Sequence, residues 1–253
     1  MARDFVEYAC ACHVGKVRKL NQDNILCGNV YLDAYKNDEA YTQSGRISIS
    51  ENPKFCIFDG MGGMEKGEIA SYLAAKCAKE TENGKDAVST VKKICQSAND
   101  AINEYAEKYI VSEMGTTAAI IILTKDRIVA CNVGDSKIFS YRDKRLVQIS
   151  LDHTSSARAG TKPFLYQYLG MPSEETIIEP YIIEKDYCEN DIYLLCSDGL
   201  TDMVGLDEIA DVISQNKVDD ICTTLLMKAL EAGGRDNITI IICRVVRKRG
   251  LFH

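Results

Sequence analysis

The chain has 253 residues, no tryptophan, only four prolines and only three histidines. His13, His153 and His253 lie far apart, and none of the eleven cysteines forms a Cys-x-x-Cys pair, so the clustered ligands of a zinc site are missing. With so little proline, no low-complexity tract and no fixed repeat, nothing marks a linker, and one domain is expected over residues 1–247. No apolar run approaches the ~20 residues of a membrane span. The opening MARDFVEYACACHVG has no basic-then-apolar signal pattern. Positive charge is in deficit, 30 Lys+Arg against 37 Asp+Glu, a net −7, which argues against a nucleic-acid backbone as main partner. These absences predict a soluble, cytoplasmic protein with no nucleic-acid or membrane partner.

What is present is an ordinary globular composition, 46% hydrophobic and 26% charged. Most cysteines sit in apolar runs such as KFCIF, YLLCSD and IIICRV, and they read as buried free thiols. Cys10 and Cys12, two apart on a strand, point the same way. Strands are expected at 5–13, 24–32 and 54–58, with 33–53 a polar loop holding at most a short strand at RISIS. Apolar spacing predicts helices over 67–83 and 85–110. Further strands follow at 116–124, 127–133, 136–141 and 145–149, then a loop-rich stretch over 152–175. Strands near 178–184 and 191–196, helices at 199–215 and 218–231, and a last strand at 238–246 complete the series, followed by a short basic tail, 248–253. Consecutive antiparallel strands with helix pairs between them predict an α+β fold, two antiparallel sheets with helices on their outer faces.

Aspartate recurs where apolar runs begin or end: Asp59 in FCIFDGMGG, Asp135 in CNVGDSK, Asp198 in YLLCSDGL, Asp236 in GGRDNITIII and Asp23 in RKLNQDN. One Asp-Gly is most simply a turn. Five carboxylates gathered at one edge of a β-core would raise one another's pKa unless a counter-charge were supplied. A hard divalent cation supplies it, and all-oxygen ligands select Mg²⁺ or Mn²⁺. The glycines after Asp59 would let backbone carbonyls approach such an ion. Arg18, five residues before Asp23, would offer a fork that matches two phosphate oxygens.

RKLNQDN, FDGMGG, Met-Gly-Thr-Thr at 114–117, NVGDSK, LLCSDGLTD and GGRDNITII stand in the order found in the metal-dependent serine/threonine phosphatases of type 2C. The chain resembles that family, above all its bacterial members with DGMGG, over about residues 6–246. The resemblance implies a central antiparallel β-sandwich flanked by helices on both faces, a four-layer αββα stack. It implies that Asp59 bridges two Mn²⁺ or Mg²⁺ ions, that Gly60 lends its carbonyl, and that Asp198 and Asp236 complete the first ion. Asp23 would hold water ligands of the second, and Asp135 a weaker third ion shared with Asp198. Arg18 would bind the phosphate. The implied reaction is hydrolysis of phosphoserine and phosphothreonine in proteins by a water activated between two ions, with a cognate serine/threonine kinase supplying the substrates and the enzyme acting as a monomer.

Three departures stand out. Met61 replaces the histidine of animal members and cannot protonate a leaving alkoxide, which leaves that proton to water at the ion centre. The lid-like segment 155–168 is short, and the 33–53 stretch is long. A dinucleotide fingerprint at Gly60–Gly63 fails because its third glycine is missing. A phosphatase fold retained as a binding module with little or no turnover is the alternative, disfavoured because every carboxylate is present.

Overall fold

The strands owe their order to alternation. In the computed structural model, which describes residues 4–34, 40–61, 64–155, 164–172 and 177–247, β1 (Phe5–His13) turns Val6, Tyr8, Cys10 and Cys12 one way and Ala9 and Ala11 the other. The same switch runs along β4 (Lys54–Asp59), β5 (Ala118–Leu123) and β11 (Ile238–Val246), where odd and even positions enter different hydrophobic clusters. A continuous apolar run is therefore the mark of a strand buried on both faces, since each side must meet another layer.

Two sheets result, with every pairing antiparallel. One has the order β3-β1-β11-β10-β7-β8, with β3 at Tyr41–Ser48, β7 at Lys137–Arg142, β8 at Arg145–Gln148 and β10 at Ile192–Cys196. The other runs β2-β4-β5-β6-β9, with β2 at Asp23–Leu26, β6 at Arg127–Val133 and β9 at Tyr181–Asp186. The sheets face each other across a core that includes Phe55, Ile121, Tyr193 and Ile241. Helices α1 (Gly67–Glu80) and α2 (Ala87–Tyr109) cover the second sheet. Helices α3 (Asp198–Thr201), α4 (Leu206–Gln215) and α5 (Val218–Glu231) cover the first. This is the four-layer αββα stack expected from the sequence. Truncating Phe55 to alanine in its middle would cost about 3–5 kcal/mol. Among the described residues all cysteines except Cys77 and Cys188 are buried, and none is disulfide-bonded.

Four elements differ from expectation. The strand at 24–32 stops at Leu26, because Gly28 and Asn29, both at positive φ, turn the chain so that Cys27 and Val30 exchange hydrogen bonds of 2.9 Å. Residues 41–48 are a full edge strand and not a loop; one face is solvated, so polar residues occupy it. The strand near 178 begins at Tyr181, after Pro180, whose missing N–H cannot join a ladder. The helix at 199–215 is broken, with Gly205 in extended backbone starting α4 afresh. Part of the 33–53 stretch (35–39), Gly62 and Gly63, part of the lid (156–163) and the basic tail lie outside the described residues. Around that lid, Thr154 pairs with Leu165, and Ser155 N–H donates to Phe164 O at 2.9 Å.

Candidate metal centre

The five aspartates lie at one end of the sandwich because each ends or begins a strand there. Asp23, first in β2, stands opposite Asp59, last in β4. Asp135 lies between β6 and β7, Asp198 follows β10 at the start of α3, and Asp236 precedes β11. Antiparallel neighbours put the start of one strand beside the end of the next, so residues up to 213 apart in sequence share one edge.

The site is graded in depth. Asp23 is buried, the other four aspartates are partly accessible, and Arg18 lies at the surface. Asp23 Oδ2 accepts from Thr239 Oγ1 at 2.6 Å and from Ser197 Oγ at 2.9 Å. Asp59 is anchored by its backbone: its N–H donates to Thr117 Oγ1 at 3.1 Å, and its carbonyl accepts from Thr117 N–H and Thr116 Oγ1, both at 2.9 Å. Thr117 is in turn 2.7 Å from Ser136 Oγ. Gly60 N–H donates to Gln22 O at 3.0 Å, and a Cβ at Gly60 would stand 2.4 Å from Gly67 O and 2.5 Å from Gln22 O. Only glycine admits that approach. Arg18 Nη2 donates to Asp236 Oδ2 at 2.7 Å.

The acids are short of positive charge. Burial, then Asp23, Asp198, Asp135 and Asp236, pushes Asp59 well above the ordinary carboxylate range. Burial lifts Asp23 to about 6 against its hydroxyl donors. Burial, followed by Asp135, Asp236, Asp202 and Asp23, lifts Asp198 to about 7. Asp135 is raised by burial, opposed by Lys137. Arg18 is raised by its hydrogen bond to Asp236 and also feels Asp59 and Asp198. Electrostatically, then, the five aspartates and Arg18 form one group. Among the described residues, no three His, Cys, Asp or Glu side chains are drawn closely enough to grip an ion as they stand.

The donor chemistry fits a hard cation. Cys12 is buried, its thiol pushed up to about 12 by burial and Asp23. His13 Nδ1 accepts from Gly15 N–H at 2.8 Å and His153 Nδ1 from Gly134 N–H at 3.2 Å, so both rings serve the backbone, as expected of structural histidines. Oxygen is left as the donor, which suits Mg²⁺ or Mn²⁺.

Sequence reasoning passed over the residues that hold the aspartates in place. Ser197, Thr239 and Asn237 stand inside quoted motifs, yet no role was read for them. Asn237 staples the arginine loop: its Nδ2 donates to Val14 O at 2.9 Å and Leu20 O at 3.1 Å, and its Oδ1 accepts from Gln22 N–H at 2.8 Å. Their signal was adjacency to the aspartates, small polar residues in otherwise apolar strand starts. Asp202, which acts on Asp198 and Asp135, stands in LTD with the same signal.

Comparison with known proteins places this arrangement. A family model described as protein phosphatase 2C matches residues 43–237. The chain is 29% identical to the serine/threonine phosphatase stp of Listeria welshimeri, covering 90% of this chain and 91% of that protein. It is 28% identical to the serine/threonine protein phosphatase PstP of Mycobacterium tuberculosis, covering 95% of this chain but 45% of that longer protein. Among solved structures, M. tuberculosis PstP/Ppp superposes with a TM-score of 0.79 at 25% identity, covering 96% of this chain and all of that one. The catalytic domain of PstP in complex with two manganese ions gives 0.77 at 27% identity, with coverage of 96% and 100%. The layered fold, the aspartate-bearing strand ends and the family match agree, and the chain belongs to the protein phosphatase 2C family.

Proposed function

We propose that the chain is a Mn²⁺- or Mg²⁺-dependent protein phosphatase that hydrolyses phosphoserine and phosphothreonine. The observation that carries this reading is the convergence of five aspartates from separate strand ends at one edge of the sandwich, with Arg18 on Asp236 at the rim. Asp59 and the Gly60 carbonyl would hold two ions, with Asp198 and Asp236 on the first, Asp23 toward the second, and Asp135 with Asp198 on a weaker third. Bound there, the ions supply an activated water and offset charge on the phosphoryl oxygens. Arg18 orients the phosphate through its planar fork, with Nη2 on Asp236 and further N–H donors left for the phosphoryl oxygens. Ser197 and Thr239 keep Asp23 aimed by fixing one carboxylate oxygen. Met61 has no proton to give, so the chain itself places no acid at that position.

Residues 1–247 are taken as one catalytic domain. Phosphorylated proteins are the substrates, and a serine/threonine kinase is the expected counterpart. No helix among the described residues is long and apolar enough to cross a membrane. Composition supports a cytoplasmic protein, and the family resemblance supports a monomer.

The test is hydrolysis of p-nitrophenyl phosphate and a phosphothreonine peptide with Mn²⁺, with EDTA, and in Asp198→Asn. Turnover that needs the ion and is lost in the variant supports the proposal. Full activity in Asp198→Asn sinks the ion assignment, and partner binding without any turnover would favour the inactive module.

A further inference from the structure

Two neighbouring loops beside the centre carry basic residues and no acid. Residues 14–20 read VGKVRKL and 232–235 read AGGR, which places Lys16, Arg18, Lys19 and Arg235 together in a chain whose acids exceed its bases by seven. The fold lays these loops side by side: Lys16 N–H donates to Gly234 O at 2.7 Å, and Asn237 clamps Val14 and Leu20. The Lys16 side chain runs against Gly234, and that of Arg235 folds over Gly233.

Arg18 donates through Nη2 to Asp236. Lys16, Lys19 and Arg235 are exposed, and none of them enters an ion pair among the described residues. Val17 and Leu20, 65% and 38% exposed, stand among them as apolar contacts. On the Asp135 side the cation is already engaged: Lys137 Nζ donates to Asp135 O at 3.1 Å and pairs with Asp152 at 2.7 Å. The exposed cations Lys16, Lys19 and Arg235, which enter no ion pair among the described residues, therefore lie on the side of the centre where the phosphate arginine stands.

Resting on the phosphatase reading above, we propose that this basic edge docks the acidic flank of a phosphorylated peptide, so that the enzyme prefers phosphoresidues with aspartate or glutamate beside them. Cations flanking the phosphate site attract such a segment and repel one rich in lysine. Exposed cations act mainly on encounter and on KM, and salt weakens them.

The experiment uses the full chain with Mn²⁺ and phosphothreonine peptides that differ only in carrying Asp, Ala or Lys around the phosphoresidue, with p-nitrophenyl phosphate assayed alongside. The expected result is a kcat/KM about tenfold higher for the Asp-flanked than for the Lys-flanked peptide, expressed in KM and shrinking at high salt. That ratio falls toward one in Lys16→Ser/Lys19→Ser, and also in Arg235→Ser, which keeps the test open if either variant folds poorly. A ratio of one in the parent enzyme, or a ratio unchanged in both variants, overturns the inference while p-nitrophenyl phosphate turnover upholds the phosphatase reading. No turnover of any substrate overturns both.

Discussion

The two ends of this sandwich treat their acids in opposite ways. At the end where β11 finishes, Glu7 accepts from Arg244 Nε at 3.0 Å and from Arg46 at 2.8 Å, and Asp191 accepts from Arg142 Nε and Cys188 N–H, both at 2.7 Å. Burial alone would raise Glu7, but Arg244 and Arg46 outweigh it and hold the carboxyl below its usual range. At the end where β11 begins, Arg18 bonds Asp236 and also acts on Asp59 and Asp198, yet burial and mutual repulsion lift Asp23, Asp59, Asp135 and Asp198. The fold supplies arginines at one end and, at the other, gathers oxygen donors that would suit an external cation. Acids matched by arginines keep their charge easily; acids crowded together raise one another's pKa, which is the mark of a binding site.

The sharpest way to break this comparison is to neutralise one acid at each end. Asp59→Asn should lower turnover by roughly a thousandfold or more, about 4 kcal/mol in the barrier. In metal-free protein the same change should raise the melting temperature, because a repelled carboxylate becomes a neutral amide. A metal-free Asp59→Asn protein that melts below its parent would falsify the contrast.

At the other end Asp191→Asn should have the reverse sign. It weakens a carboxylate that accepts from Arg142 and Cys188, and denaturant unfolding should show a loss of about 2 kcal/mol with turnover retained. Unchanged stability would mean that the arginine pairing is ornamental.

Thr239→Val tests the support beneath Asp23. With one of two hydroxyl donors gone, calorimetry should find Mn²⁺ uptake weakened roughly tenfold. If uptake is untouched, Asp23 does not take part through that oxygen.

The smallest effect is in the pH profile of metal-free stability. Asp23 and Asp198 ionise near 6 and 7 when folded and near the ordinary carboxylate value when unfolded. The folded state binds more protons in that interval, so stability falls as pH rises from about 4 to 7. Glu7 is depressed, so its contribution is present above its unfolded pKa and lost as pH falls through the folded one. Melting followed by circular dichroism should show Mn²⁺ removing the upper loss and Glu7→Gln removing only the acid-side loss. Identical profiles with and without Mn²⁺ would detach the raised carboxylates from the ion.

Much of the site was legible because its chemistry is concentrated in residues next to strand ends. Asp59-Gly60, Asp198-Gly199 and Asp236-Asn237 each interrupt an apolar run, and that interruption is visible without a fold. The supporting hydroxyls were not. Thr239 reaches Asp23 across 216 positions, and Ser197 across 174, so neither contact has any local sign. Only the RISIS end of the edge strand Tyr41–Ser48 was read from the sequence, for a related reason: its pairing with β1 is supplied by the partner strand, and its own residues alternate weakly.

By itself the sequence determined the layer architecture, since period-two and helical apolar spacing dictate which faces must be covered. It also determined which acids were candidates for a centre. The tertiary structure decided the rest. It set which acids meet, which are neutralised by arginine and which are not, and how Asn237 joins the Arg18 loop to the Asp236 strand. Charge interaction depends on distance and burial, and neither exists for residues hundreds of positions apart until the sheets have paired.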